Sequence, residues 1–113
     1  LSGRPDLKRK LVLEARQQVP DGSGGYTVDW QALGTLWADM SARTGREDFV
    51  AGQTTPRVKY RILVRGAPCG APSRPRPDQR FRDGERVFNI LTVAEHDAAG
   101  RFLEIYAEEG VLP

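Results

Sequence analysis

Arg57-Val58-Lys59-Tyr60-Arg61-Ile62-Leu63-Val64-Arg65 alternates almost without fault between apolar and basic side chains. Val58, Tyr60, Ile62 and Val64 share one parity; Arg57, Lys59, Arg61 and Arg65 share the other, with Leu63 among them. Successive side chains of a strand point to opposite sheet faces, so this spacing predicts a strand with one face in a core and a basic stripe on the other.

The same period extends on both sides. Residues 7–18 read as a strand with Leu11, Leu13 and Ala15 inward, and Val12 implies that the other face is partly covered as well. The run from Pro20 to Gly25 is a dense turn signal, and Tyr26, Thr27, Val28 and Trp30 make the return arm of a hairpin with a flexible tip. After Gly34, residues 35–42 alternate Leu36, Ala38 and Met40 with Trp37, Asp39 and Ser41 and predict a further strand. Trp30 and Trp37 are core residues or interface anchors, with core the default because large aromatics dominate small cores. Between 44 and 53, Thr44 and Glu47 have capping-box spacing, which predicts a helix of at most two turns or else a loop.

Downstream, residues 66–78 lose all periodicity and interleave Pro68, Pro72, Pro75 and Pro77 with Arg74 and Arg76, which favours an extended, polyproline-like loop. Residues 79–82 form a short strand, and Asp83-Gly84 marks a tight hairpin. Val87, Phe88, Ile90, Leu91 and Val93 are apolar on both parities, as in a central strand; 96–100 turn, and Leu103, Ile105 and Ala107 line the last strand. The expected fold is therefore mostly β, one domain over residues 1–113. It is a small antiparallel barrel (or sandwich) of about six strands that leaves no open edge, with long loops at 42–56 and 66–78 and at most one short helix.

With 113 residues, 39% hydrophobic and 28% charged, the chain suits one thin core. A formal charge of +2 is far below that of a dedicated nucleic-acid binder, so local charge matters more than the total. Cys69 is the only cysteine and cannot close an internal disulfide, and no apolar run nears the roughly 20 residues a membrane span needs. The start, residues 1–10, is polar and basic, unlike a signal peptide. An intracellular protein without a membrane partner is the expectation.

Catalytic sets are thin. His96 is the only histidine and lies in a turn between Glu95 and Asp97, which reads as an exposed turn residue rather than a metal ligand. A hydrolase using His96 is the weakest function reading, and no cofactor is expected. Arg57, Lys59, Arg61 and Arg65, followed by Arg74, Arg76, Arg80, Arg82 and Arg86, are either a solvated face balanced by acids or a surface for a polyanion or an acidic partner. A nucleic-acid-binding barrel is the alternative function, although few aromatics interleave with these cations.

The order of these pieces resembles the phage head–tail joining family, the head-completion or stopper proteins, which also occur in gene transfer agents. The resemblance runs from Leu7 to Glu108 through Leu7-Lys8-Arg9-Lys10-Leu11-Val12-Leu13, Gly24-Gly25, Trp30, Leu36-Trp37-Ala38-Asp39-Met40, Gly45-Arg46-Glu47-Asp48-Phe49, Gln53, the alternating strand, and Asp83-Gly84-Glu85-Arg86-Val87-Phe88-Asn89-Ile90. It implies a structural, non-enzymatic ring subunit in the neck of a virion or gene transfer particle, assembled in the bacterial cytoplasm. The implied partners are further copies of the chain, an adaptor protein on the portal side, a tail terminator or tail tube protein, and double-stranded DNA in the channel. By the same analogy Arg43, Arg46, Glu47, Asp48 and Arg57 face the channel, and Lys59, Arg61, Arg65, Arg74, Arg76 and Arg80 supply subunit or partner interfaces. The loop at 66–78 looks longer and more proline-rich than the family usually carries.

Overall fold

The computed structural model describes residues 4–43, 48–50, 53–55 and 58–111. Its strands are β1 (Arg9–Pro20), β2 (Tyr26–Arg43), β3 (Asp48–Val50), β4 (Gln53–Thr55), β5 (Lys59–Arg65), β6 (Arg80–Asp83), β7 (Arg86–Glu95) and β8 (Phe102–Gly110). Six of them close into an antiparallel barrel in the order β1-β2-β5-β8-β7-β6, while β3 and β4, among the described residues, pair only with each other.

Alternation builds the core. Ile62 and Val64 of β5 are fully buried and sit in register with Met40 and Ala38 of β2 and with Ile105 and Leu103 of β8. Leu11 and Leu13 of β1, Phe81 of β6, Phe88 and Ile90 of β7 and Ala107 of β8 complete the interior. Val58 departs from the expected inward row because it precedes β5 and is largely exposed. Leu63 is buried on the outer face of β5. The amino-terminal segment crosses near it, tied by the Asp6 N–H donating to Asp39 Oδ2 at 3.0 Å, and Asp39 is the register partner of Leu63.

Four expectations need correction. The predicted break at Gly34 does not split a strand: β2 runs for 18 residues, and the irregularity becomes a register shift opposite Leu13/Glu14. Where a short helix was an option at 44–53, residues 48–50 and 53–55 are strands of a small hairpin, and 44–47 lie outside the described residues. Neither tryptophan is in the barrel core. Trp37 has the outward parity of β2 and is 53% exposed, and Trp30 lies on the arm beyond the barrel.

The fourth concerns residues 66–78, which are folded rather than extended. Reverse turns are closed by hydrogen bonds from Ala71 N to Pro68 O, Arg74 N to Ala71 O and Gln79 N to Arg76 O, and Pro75 is fully buried. The loop begins in tight backbone contact: Gly66 N donates to Arg101 O at 2.7 Å, and a Cβ on Gly66 would run into the carbonyl of Gly100. Backbone cannot yield as a flexible side chain can, so Gly66→Ala is expected to cost about 2–3 kcal/mol. Urea denaturation measures it; an unchanged midpoint would show that the loop does not seat on the β7–β8 turn.

Candidate functional site

The barrel closes where β1 meets β6 over three residue pairs, Val12–Arg82, Leu13–Phe81 and Glu14–Arg80. Leu13 and Phe81 point into the core. On the outer side Arg80 Nε donates to Glu14 Oε1 at 2.7 Å, and both residues are buried. Arg82 stands 3.8 Å from the other Glu14 oxygen, and the Arg80 guanidinium stacks 4.1 Å from the centre of the Trp30 ring. Arg80, expected on a partner surface, is instead enclosed within the protomer.

At one end of the barrel, β2 finishes at Arg43 beside Lys59 of β5, which in turn faces Glu108 of β8. Arg86 covers this end of the core. Its Nε donates to Glu109 Oε2 at 2.9 Å, its Nη2 reaches Glu109 Oε1 and the Tyr60 hydroxyl at 3.1 Å, and its plane lies 5.0 Å from the Phe88 ring. Tyr60 meets Phe88 edge-on at 5.1 Å. Arg9 pairs with Asp83 at 2.7 Å. Of the expected channel residues, Arg43 is exposed at the end of β2 and Asp48 opens β3; Arg46, Glu47 and Arg57 lie outside the described residues.

From the opposite end projects an arm. Among the described residues, β1 has no pairing with β6 beyond Glu14 and β2 has none with β5 before Ala38, so residues 15–20 and 26–31 form a two-stranded ribbon whose edges no described strand covers. Its tip is closed by Asp21, whose Oδ1 accepts from the Ser23 and Gly25 amides at 2.8 and 3.1 Å. Tyr26 and Val28 share one face of the arm and are 65% and 51% exposed. The radius of gyration, 15.6 Å, exceeds the roughly 13 Å of a compact chain of about this size, as a projecting arm requires.

Arg74 and Arg76, expected at an interface, differ in role. Arg74 is half-buried and braces the loop by donating to Ala67 O at 3.0 Å, whereas Arg76 is exposed and only 4.0 Å from an equally exposed Asp78. Arg61 is half-buried beside Glu104, and Arg65 is exposed at the end of β5. His96 is not the exposed turn residue expected. Its Nδ1 lies 3.0 Å from Glu104 Oε1, while the Tyr106 hydroxyl donates to Glu104 Oε2 at 2.7 Å. Glu104 is held below the usual carboxylate range by these two hydrogen bonds, Tyr106 first. Among the described residues, no three of His, Cys, Asp and Glu gather as a metal-ligand set.

A model of the phage head completion protein family matches residues 3–110. The chain belongs to that family. Among solved structures, this head completion protein is similar to a chain of the virion of a native gene transfer agent particle, with 49% identity, 96% of this chain and 100% of that one covered, and a TM-score of 0.80. It shares its fold with a protein from Shigella flexneri 2a solved in solution, at 23% identity, a TM-score of 0.68, and coverage of 96% and 97%. No curated protein matches.

Two features missed in the sequence organise the head completion protein: the buried Glu14–Arg80 pair and the Arg86–Glu109–Tyr60 cap. The only signal for Glu14 was its polar parity opposite Leu11 and Leu13, which reads as solvent. Removing Arg80 alone would leave a buried carboxylate with only the more distant Arg82, 3.8 Å away. Arg80→Met is therefore expected to cost about 3–5 kcal/mol, and Glu14→Leu with Arg80→Met to recover most of that loss. Thermal unfolding of the single and double variants decides it.

Glu109 titrates below the ordinary carboxylate range, chiefly because Arg86 donates to it. A depressed folded pKa means stabilisation that is full above the unfolded value, roughly 4.3, and lost as pH falls through the folded pKa. Glu109→Gln is expected to lower stability at pH 7 and to flatten the decline below about pH 4. Denaturant midpoints between pH 2 and 7 test this, and an unaltered acid slope would contradict it.

Proposed function

We propose that this head completion protein is a ring-forming structural subunit of the head–tail connector of a tailed phage or gene transfer agent, and that it carries out no catalysis. The observation that carries this reading is the 49% identity, over the whole of that chain, to a component of a gene transfer agent virion. In the ring it contacts further copies of itself, an adaptor protein on the portal side and a tail terminator or tail tube protein on the other, while double-stranded DNA passes through or is retained by the channel.

The geometry suits such work. A closed barrel gives a rigid body without edges of its own, and two ends of different construction suit two different partners. The arm does the reverse. Its open edges and exposed Tyr26 and Val28 are the features that invite strand addition or apolar docking, which a free monomer ordinarily avoids. We assign the arm to contact with a neighbouring copy. The connection from 44 to 57, with Arg43 and Arg57 at its margins and Arg46, Glu47 and Asp48 within it, is assigned to the channel, where mixed charge attracts phosphates without holding them.

Tyr26→Ser with Val28→Ser tests the arm. Both side chains are exposed, so monomer stability should move by no more than about 0.5 kcal/mol, while incorporation into particles falls at least tenfold. Particle yield, tail attachment and retained DNA, read by electron microscopy and nuclease protection, provide the assay. Normal incorporation of the variant would remove the arm from the interface. Normal particles in the complete absence of the protein would overturn the connector reading itself.

A further inference from the structure

The cations of β5 are not equivalent. Lys59 stands opposite Glu108 in register, and Arg61 lies beside Glu104 at 4.0 Å. Arg65 is opposite Phe102 and has no hydrogen-bond or ion-pair partner among the described residues. It lines an open cleft of about 550 Å3, together with Arg4, Pro5, Gly66, His96, Asp97, Arg101 and Phe102. Arg4 also lacks a partner among the described residues. Arg101 is tethered by Asp97, through a 3.3 Å contact at Nε, and is otherwise exposed.

Three separate segments bring these guanidiniums together. The Asp6–Asp39 hydrogen bond carries Arg4 and Pro5 across the sheet, β5 ends at Arg65, and the β7–β8 turn presents Arg101. That turn is rigid: Asp97 Oδ1 accepts from the Arg101 and Phe102 amides at 2.9 and 3.1 Å. Asp97 therefore serves the turn, and among the described residues nothing pairs with Arg4 or Arg65, which stand beside an apolar wall of Phe102 and Pro5.

We propose that this cleft is a docking site for a short acidic segment of a partner protein, one that carries a carboxylate next to a large apolar side chain. Unpaired guanidiniums recognise carboxylates bidentately. A cleft of this volume suits a few side chains set against an apolar wall with a small number of polar groups. Duplex DNA is the poorer fit. Its affinity comes from cations strung along the phosphate backbone. Here the neighbouring β5 cations face acids on β8, Asp97 lines the cleft, and an apolar wall gives nothing to a phosphodiester. The site is independent of the ring reading, because it is complete in one protomer.

The full-length protein, labelled with nitrogen-15, would be titrated at 50 mM salt with three probes: the blocked peptide acetyl-Leu-Asp-Phe-Glu-Leu-amide, its Asn/Gln counterpart, and a 20-base-pair duplex. The acidic peptide is expected to shift the Arg65 and Arg101 Nε–H signals and the Phe102 amide saturably. The Asn/Gln peptide should bind at least tenfold more weakly. Arg4→Ala with Arg65→Ala should weaken the acidic peptide at least tenfold without changing the melting temperature, since both side chains are exposed. Equal binding of the two peptides, no shift with the acidic one, or stronger salt-dependent shifts of the same signals by the duplex would each overturn the proposal, the last making the cleft a phosphate surface. None of these outcomes bears on whether particles need the protein.

Discussion

The contact between Glu14 and Arg80 is where the barrel becomes closed. β1 and β6 share only three register pairs, and this pair is the last of them before the two strands part. One residue earlier, Leu13 and Phe81 seal the interior. At the same place β1 shifts register against β2, so the strand leaves the barrel wall and continues as the arm. The guanidinium thus satisfies a buried carboxylate, joins the seam and, stacked on Trp30, fixes the root of the arm. An apolar pair could close the seam as firmly, but only a charged plane can hold both a carboxylate and an indole face.

That arrangement separates rigid from available surface. At one end Arg86 covers the core through Glu109, Tyr60 and Phe88; at the other, the 66–78 loop folds back through its own turns and buries Pro75. Much of the positive charge is consumed in such contacts, as Arg9, Arg80, Arg86 and Arg101 all pair with acids. Among the described residues, the exposed features outside these contacts include the arm and the cleft beside Arg65, the surfaces that the proposed connector role would use.

The loop at 66–78 shows why composition alone misled. Alternating prolines favour extended backbone when nothing competes. Here the close approach of Gly66 to the Gly100 carbonyl, the Arg74 brace and the burial of Pro75 outweigh that local preference. Trp37 was misread for a similar reason. Its size suggested core, yet its parity beside Leu36 and Ala38 already placed it outside, and parity prevailed because the register with β1 runs unbroken from Gly34 to Ala38.

The sequence by itself determined the alternating strands around the core, their inward rows and the Asp83-Gly84 turn, though not the unbroken β2 or the β3–β4 pair, because a period of two and a turn that needs a positive φ at Gly84 are local properties of the chain. The inward rows 11–13, 62–64 and 103–107 were all legible in this way, and so was family membership, from the order of the pieces. Strand pairing and charge pairing were not. Whether an arginine is a free surface cation or half of a buried pair depends on which residue stands across the seam, 66 positions away for Glu14 and Arg80. Arg65 and Arg80 are indistinguishable as letters; only the closed barrel buries one against a carboxylate and leaves the other open in a cleft.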